Sequence, residues 1–255
     1  VRWVIPDKTE PPRVTKVSML LQEQFLNSPP VAIQQIKKAI LHMFVRAYEM
    51  LGHIKDDISN DNNEKKDEII KLEDELDRHQ AEITEYISLV MHKGVSVSDS
   101  ETLTHLLHAV NDVENIGDSV ESTSNLLQRL AKLGQKFSPA AKSDIIEMVT
   151  LVASMVDDSI RALEHESRRT AMSAIEKEAR IDEMKRKFRK RNRDRYVAYK
   201  RGESTTEEKL WGQVISNDVI SNMEKIADNA ENVLEAYKLA AESKPTDQWV
   251  RDHEA

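Results

Sequence analysis

Apolar residues recur along most of this chain at steps of three and four, the interval that lines one face of an α-helix. Ile33, Ile36, Ile40, Phe44, Ala47 and Leu51 form the first such stripe. Ser28 followed by Pro29 offers an N-cap and a proline at the first helical position, so a helix is predicted from residue 28 to about Ile58. Asn60-Asp61-Asn62-Asn63 makes a polar turn. A second stripe of Ile69, Leu72, Leu76, Ile83, Tyr86 and Val90 predicts a helix from about Glu64 to Lys93, stopped by Gly94. The third helix opens at the capping box Ser98-x-x-Glu101 and buries Leu103, Leu106, Val110, Val113, Val120 and Leu127, ending near Gly134.

The pattern then starts again. Ser138-Pro139 echoes Ser28-Pro29. A fourth helix is predicted to about Ser167. A fifth turns Ile181, Met184 and Phe188 inward and ends near Gly202, and a sixth runs from the capping box Ser204-x-x-Glu207 to about Glu242. The expected fold class is all-α, two tandem three-helix bundles of six long antiparallel helices over residues 28–136 and 137–243. Residues 1–27, with Pro6, Pro11 and Pro12, read as a linker or strap. Residues 244–255, which include Pro245, read as a frayed tail.

Composition agrees with this reading. Six Gly, seven Pro and 32% charged residues suit long helices better than a turn-rich sheet fold. A formal charge of −8 argues against general nucleic-acid binding. Without Cys there is no thiolate ligand, thiol nucleophile or disulfide framework. No apolar run approaches the roughly 18 residues of a membrane span, and no signal peptide is visible. The opening Val1-Arg2-Trp3-Val4-Ile5-Pro6 has the look of a juxtamembrane end.

Charge placement changes the picture more. Glu114 and Asp118 lie one helical turn apart on one face, and the same spacing recurs at Glu73/Asp77, Glu178/Asp182 and Glu224/Asp228. The pairs repeat between the halves with offsets of 105 and 110 residues. In heptad terms every pair occupies e and b beside its own apolar seam, so two helices of each half can turn four carboxylates to one surface. Like charges one turn apart cost about 0.2–0.5 kcal/mol per pair. A bound hard cation, or Fe or Mn, would reverse that penalty; a solvated helix face is the other reading. No His has Glu three positions before it, which removes the Glu-x-x-His di-iron bundle. No phosphate loop, nucleophile elbow or His-Glu-x-x-His is present, so no enzyme is expected. His79 and the other histidines are expected to fill packing or surface positions.

One stretch is strongly basic: Lys185 to Arg195, continuing to Lys200-Arg201. It reads either as a solvated face balanced by Glu176, Glu178 and Asp182 or as a dock for anionic lipid or an acidic partner. RNA binding is disfavoured because stacking aromatics are few.

With these residues in view, the chain resembles the PhoU family. Asp112-Val-Glu114-Asn-Ile-Gly-Asp118 is similar to its Asp-Leu-Glu-Arg-Ile-Gly-Asp signature, and Asn222-Met-Glu224-Lys-Ile-Ala-Asp228 to a second copy. Asn115 and Lys225 stand where the signature has Arg, and Asn222 stands for its leading acid. The resemblance, over residues 28–243, implies tandem three-helix bundles that hold multinuclear iron or zinc, or manganese by the ligand chemistry above. The ligands implied are Glu73, Asp77, Asp112, Glu114, Asp118, Glu178, Asp182, Glu224 and Asp228. Leu20-Leu-Gln-Glu-Gln-Phe-Leu26-Asn-Ser-Pro-Pro30-Val-Ala32 also resembles the segment joining bacterial sodium/phosphate cotransporters to a C-terminal PhoU-like domain. That implies a regulatory domain at the cytoplasmic face of the bacterial inner membrane, partnered by the transporter's membrane part. A free-standing PhoU-type regulator and a metal-free helical interaction module are the alternatives, with homo-oligomerisation open.

Overall fold

Short polar breaks separate the helices of this chain, and each break has a local cause. The structure is a computed structural model, and it describes residues 17–201 and 208–242. The helices are α1 (Val17–Leu20), α2 (Pro29–Asn60), α3 (Lys66–His92), α4 (Val97–Lys132), α5 (Pro139–Glu164), α6 (Arg168–Lys200) and α7 (Glu208–Glu242). Helix α2 begins with proline in its first turn and ends on Asp61, which takes the left-handed conformation at φ 53°. After α3 and α4 the chain turns through Gly94 (φ 81°) and Gly134 (φ 66°), a region in which a side chain would be strained.

Helix α4 is capped differently from the sequence-based expectation. Its N-cap is Ser96, not Ser98: Ser96 Oγ accepts the Asp99 amide at 3.1 Å and donates to the Asp99 carboxylate at 2.8 Å. Both serines precede an acid by three residues, and the extended backbone at Ser96 settles which one caps. Ser96→Ala is expected to lower stability by about 1 kcal/mol, read by urea unfolding, with Ser98→Ala nearly neutral.

The predicted apolar stripes are the core. Ile33, Ile36, Ile40, Phe44, Ala47 and Leu51 of α2 are all buried, as are Leu103, Leu106, Val110, Val113, Val120 and Leu127 of α4. Phe188 and Ile181 of α6 are buried too, while Leu72 and Met184 are half-buried at the margin. Helices α2, α3 and α4 pack on one another, and so do α5, α6 and α7. The two bundles join where α4 packs on α7 and α2 on α5. Four central helices thus carry the shared core, with α3 and α6 flanking it.

Ahead of α2 the chain forms a strap, containing α1 and a 3₁₀ turn at Glu23–Phe25. Val17 and Leu26 are buried, and Tyr86 of α3 donates its hydroxyl to Gln22 O at 3.0 Å. The part of the expected linker or strap that is described, from Val17, thus contains short helical turns. Residues 1–16, Gly202, the Ser204/Glu207 capping box and the tail 244–255 lie outside the described residues. Among those described, no helix is long and apolar enough to cross a membrane.

Candidate functional site

Helices α3 and α4 can approach closely because Gly117 lacks a side chain: a Cβ there would stand 2.6 Å from Leu76 Cδ1. The first two acidic pairs lie beside that contact, near enough to act on one another through their charge. Glu73 feels the negative charges of Asp77, Glu121, Asp118 and Asp74, and Glu114 feels those of Asp118 and Asp77. Among the described residues, the charges that act most strongly on Glu73, Glu114 and Asp118 are all acidic. Burial first, and these neighbours second, push the Glu73 carboxyl up to about 7. The same two causes, in that order, raise Glu114 and Asp118.

The second bundle repeats the cluster with a difference. Glu178 of α6 is raised by burial and then by Glu231, Asp182 and Asp228, with Arg186 opposing. Lys185 forms a close ion pair with Glu224 and also pulls against the burial that raises Asp228. The protein has thus placed its own lysine in this half, whereas acids lead the charges acting on Glu73, Glu114 and Asp118 in the first.

The raised Glu73 carboxyl gives a signed pH effect. Its folded-state value, about 7, lies above the ordinary 4.5. Ionisation therefore penalises the native state, so metal-free stability falls as pH rises from 4.5 through 7. Glu73→Gln is expected to be the more stable protein at pH 8, with the difference closing below pH 4.5; thermal unfolding across that range measures it.

Asp112, at the head of the first acidic motif, points elsewhere. It accepts a 3.5 Å hydrogen bond from Asn232 Nδ2 on α7, and burial raises its carboxyl. Asn222, 110 residues later, donates to Ser122 Oγ at 3.3 Å and Thr123 Oγ1 at 3.2 Å on α4. These are equivalent contacts: the offset of 110 that takes Asp112 to Asn222 also takes Ser122 to Asn232. The α4–α7 seam has a pseudo-twofold axis, and both leading residues belong to that seam. Asn115 and Lys225, another pair at the same offset, border an open polar groove beside Asp118, Glu121 and Asn229.

The model of the PhoU domain matches residues 40–127 and again 145–237, one copy for each bundle. The chain belongs to the PhoU family. Its fold is similar to that of PhoU from Pseudomonas aeruginosa, with a TM-score of 0.73 at 15% identity over 83% of this chain and 97% of that one. The phosphate transport system regulatory protein PhoU from Streptococcus pneumoniae gives a TM-score of 0.70 at 16% identity, covering 86% of this chain and 100% of that one. No curated protein sequence matches the chain significantly.

Against this PhoU frame, two acids stand out that the paired spacing overlooked. Glu121 lies seven residues after Glu114, and Glu231 seven after Glu224, again 110 apart. A search for heptad steps as well as single turns finds both. The basic stretch of α6 is tied to the body at a few points, while Arg186, Lys187, Lys190 and Arg193 stay exposed. Arg191 and Arg195 both donate to Asp144 of α5, Lys187 pairs with Glu183 at 2.7 Å, and Arg189 donates to Ser221 at 3.1 Å. Phe188 is buried, as its lone apolar position in the run foretold.

Proposed function

We propose that this chain is a regulatory, non-catalytic domain controlling phosphate uptake, the cytoplasmic part of a sodium-dependent phosphate transporter, and that metal held by its acidic pairs fixes its docking surface. The family assignment supports the phosphate link. The observation that carries the metal reading is the α3–α4 cluster, in which burial and mutual repulsion dominate at Glu73, Glu114 and Asp118 and no cation is among the leading influences of the described residues.

The donor set suits a cation that accepts oxygen ligands, with iron, zinc or manganese the candidates. Glu73, Asp77, Glu114 and Asp118 would hold it in the first bundle, with Glu121 adjacent. Bound metal would supply positive charge that cancels their repulsion and ties α3 to α4. In the second bundle Glu178, Asp182, Asp228 and Glu231 fit the same role more weakly, because Lys185 already neutralises Glu224. Asp112 and Asn222 keep the seam instead. Helix α4 therefore faces the cluster on one side and α7 on the other, so fixing α3 against α4 also steadies the junction between bundles. The outward cations of α6, Lys190 and Arg193 among them, would face the membrane domain or anionic headgroups.

A free-standing PhoU-type regulator is the nearer alternative, and the coding sequence upstream of Val1 separates the two. Several apolar segments of about 20 residues there establish the transporter; a nearby start codon removes it. A metal-free interaction module is the more distant alternative. The functional test is phosphate uptake by cells carrying the wild-type gene or Glu114→Gln/Asp118→Asn, shifted between phosphate-poor and phosphate-rich medium. Uptake in the variant is expected to lose its response to the shift. A full response, with the variant protein folded and present at wild-type levels, contradicts the proposal.

A further inference from the structure

The other face of α3 carries a different set of ligands. Glu75 and His79 lie one turn apart, half a helix round from Glu73 and Asp77, and they meet His42 of α2. One ligand atom from each of His42, Glu75 and His79 lies within 4.8 Å of the other two. His79 is only 8% exposed. Its Nδ1 and that of His42 are buried with no hydrogen-bond partner. His79 Nε2 stands 3.9 Å from Glu75 Oε1, and since buried polar atoms in native proteins are almost always paired, orphan nitrogens on two adjoining rings beside a carboxylate call for a ligand.

The ring geometry narrows the choice. The two imidazole centroids are 5.3 Å apart and the rings lie at 70° to each other. Two imidazoles bound to one tetrahedral zinc at about 2.0–2.1 Å hold their centroids roughly 5 Å apart. Ligand atoms in such a centre are roughly 3.4 Å from one another, so a bound ion would draw the three closer together. Arg46 is the competing cation: its Nε lies 3.5 Å from Glu75 Oε1. It has somewhere else to go, since its Nη1 already donates to Glu49 at 2.8 Å.

We propose that His42, Glu75 and His79 form a mononuclear site for a borderline divalent cation of the zinc type, clamping α2 to α3. Two imidazoles and a carboxylate leave a fourth position for water, and the mixed nitrogen–oxygen set selects against magnesium and calcium. The site belongs to the first bundle alone. An offset of 105 carries the buried face of α2 onto that of α5, as it carries the acidic pair of α3 onto that of α6, and it places Glu147, Arg180 and Met184 at the corresponding positions, so the site is not a by-product of the repeat. It is also independent of the all-carboxylate cluster, while acting on the same helix: a clamp on this side of α3 fixes the rotation that aims Glu73 and Asp77 at α4.

Cobalt is the probe, because its visible absorption is intense only in low-coordinate sites. The full chain carrying Glu114→Gln/Asp118→Asn is stripped with chelator and titrated with Co²⁺, then Zn²⁺. About one Co²⁺ per chain is expected to develop the intense band and to be displaced by Zn²⁺. Affinity should fall by about 100-fold or more when His42→Gln or, separately, Glu75→Gln is added. Glu75→Gln preserves shape, and circular dichroism checks that each variant keeps its helices. Absence of the band in the starting variant, or an undiminished band in either added substitution, overturns the proposal. If the band survives while Glu114→Gln/Asp118→Asn leaves the wild-type metal content unchanged, the carboxylate cluster fails as a metal site and this one stands.

Discussion

Gly117→Val is expected to destabilise the protein by about 1–3 kcal/mol, the usual cost of overpacking a tight core. The new Cβ alone would stand 2.6 Å from Leu76 Cδ1, and valine's second methyl adds bulk on a helix where its rotamer is restricted. Leu76 is fully buried, so its side chain cannot simply swing into water. Valine's better helix propensity offsets only about half a kcal/mol. The clash falls beside Asp118 and one residue before Asp77, so prying α3 from α4 should also weaken metal retention. The mechanism is checked by a cycle with Leu76→Ala, measured by urea unfolding. If the clash is the cause, the double variant loses less than the sum of the two single variants. Additive losses would place the damage elsewhere.

Asp144→Ala is expected to cost about 2–3 kcal/mol. Removing one partner of a fully buried ion pair typically costs about 3–5 kcal/mol. The Asp144 side chain is 8% exposed, and its guanidinium partners on Arg191 and Arg195 are 52% and 25% exposed. Arg191 can therefore recover water, whereas Arg195 is left beside an empty acceptor, which lowers the figure from the fully buried case. The loss should be local. Arg195 also donates to Asn192 Oδ1 at 2.8 Å, and Asn192 in turn donates to Asn217 of α7 at 2.6 Å. Amide hydrogen exchange is thus expected to quicken over residues 185–195 of α6 while α4 stays protected. Uniform quickening across both bundles would show that Asp144 supports the whole fold instead of docking α6.

The two predictions rest on different kinds of sequence legibility. The stripes of α2 and α4 were readable because each long helix buries one face, and three-four spacing records that face directly. Acidic pairs were readable as pairs for the same local reason, since residues four apart share a face in any helix. What local spacing cannot show is which neighbouring helix that face meets. Asp112 looked like Glu114 and Asp118, yet it turns to Asn232, 120 residues away in sequence. The histidines suffered the same way. His79 alone is an ordinary buried side chain, and its meeting with His42 depends on the packing of α2 against α3. Asp144, near the start of α5, holds two cations of the basic stretch, Arg191 and Arg195, again through a contact no periodicity encodes. Ser96 and Ser98 show a finer limit, because two adjacent caps differ only in backbone conformation.

The departures from the PhoU signature gain physical meaning in the same frame. Asn222 in place of an acid supplies an amide that donates to Ser122 and Thr123, which a carboxylate could not do. Lys185 answers Glu224 in the half whose motif departs further from the signature. The two bundles are thus related by descent of pattern but not equal in charge, and the first is the stronger candidate for holding metal.

The most direct measurement is elemental analysis by inductively coupled plasma mass spectrometry on protein purified without chelator or metal-affinity tag. Wild type, Glu114→Gln/Asp118→Asn and Asp112→Asn are compared. Stoichiometric iron, zinc or manganese is expected in wild type, a clear fall in the double variant, and little change in Asp112→Asn. Protein that carries no metal, and takes up none on incubation with these ions, would contradict the role given to the acidic pairs and return their carboxylates to solvent.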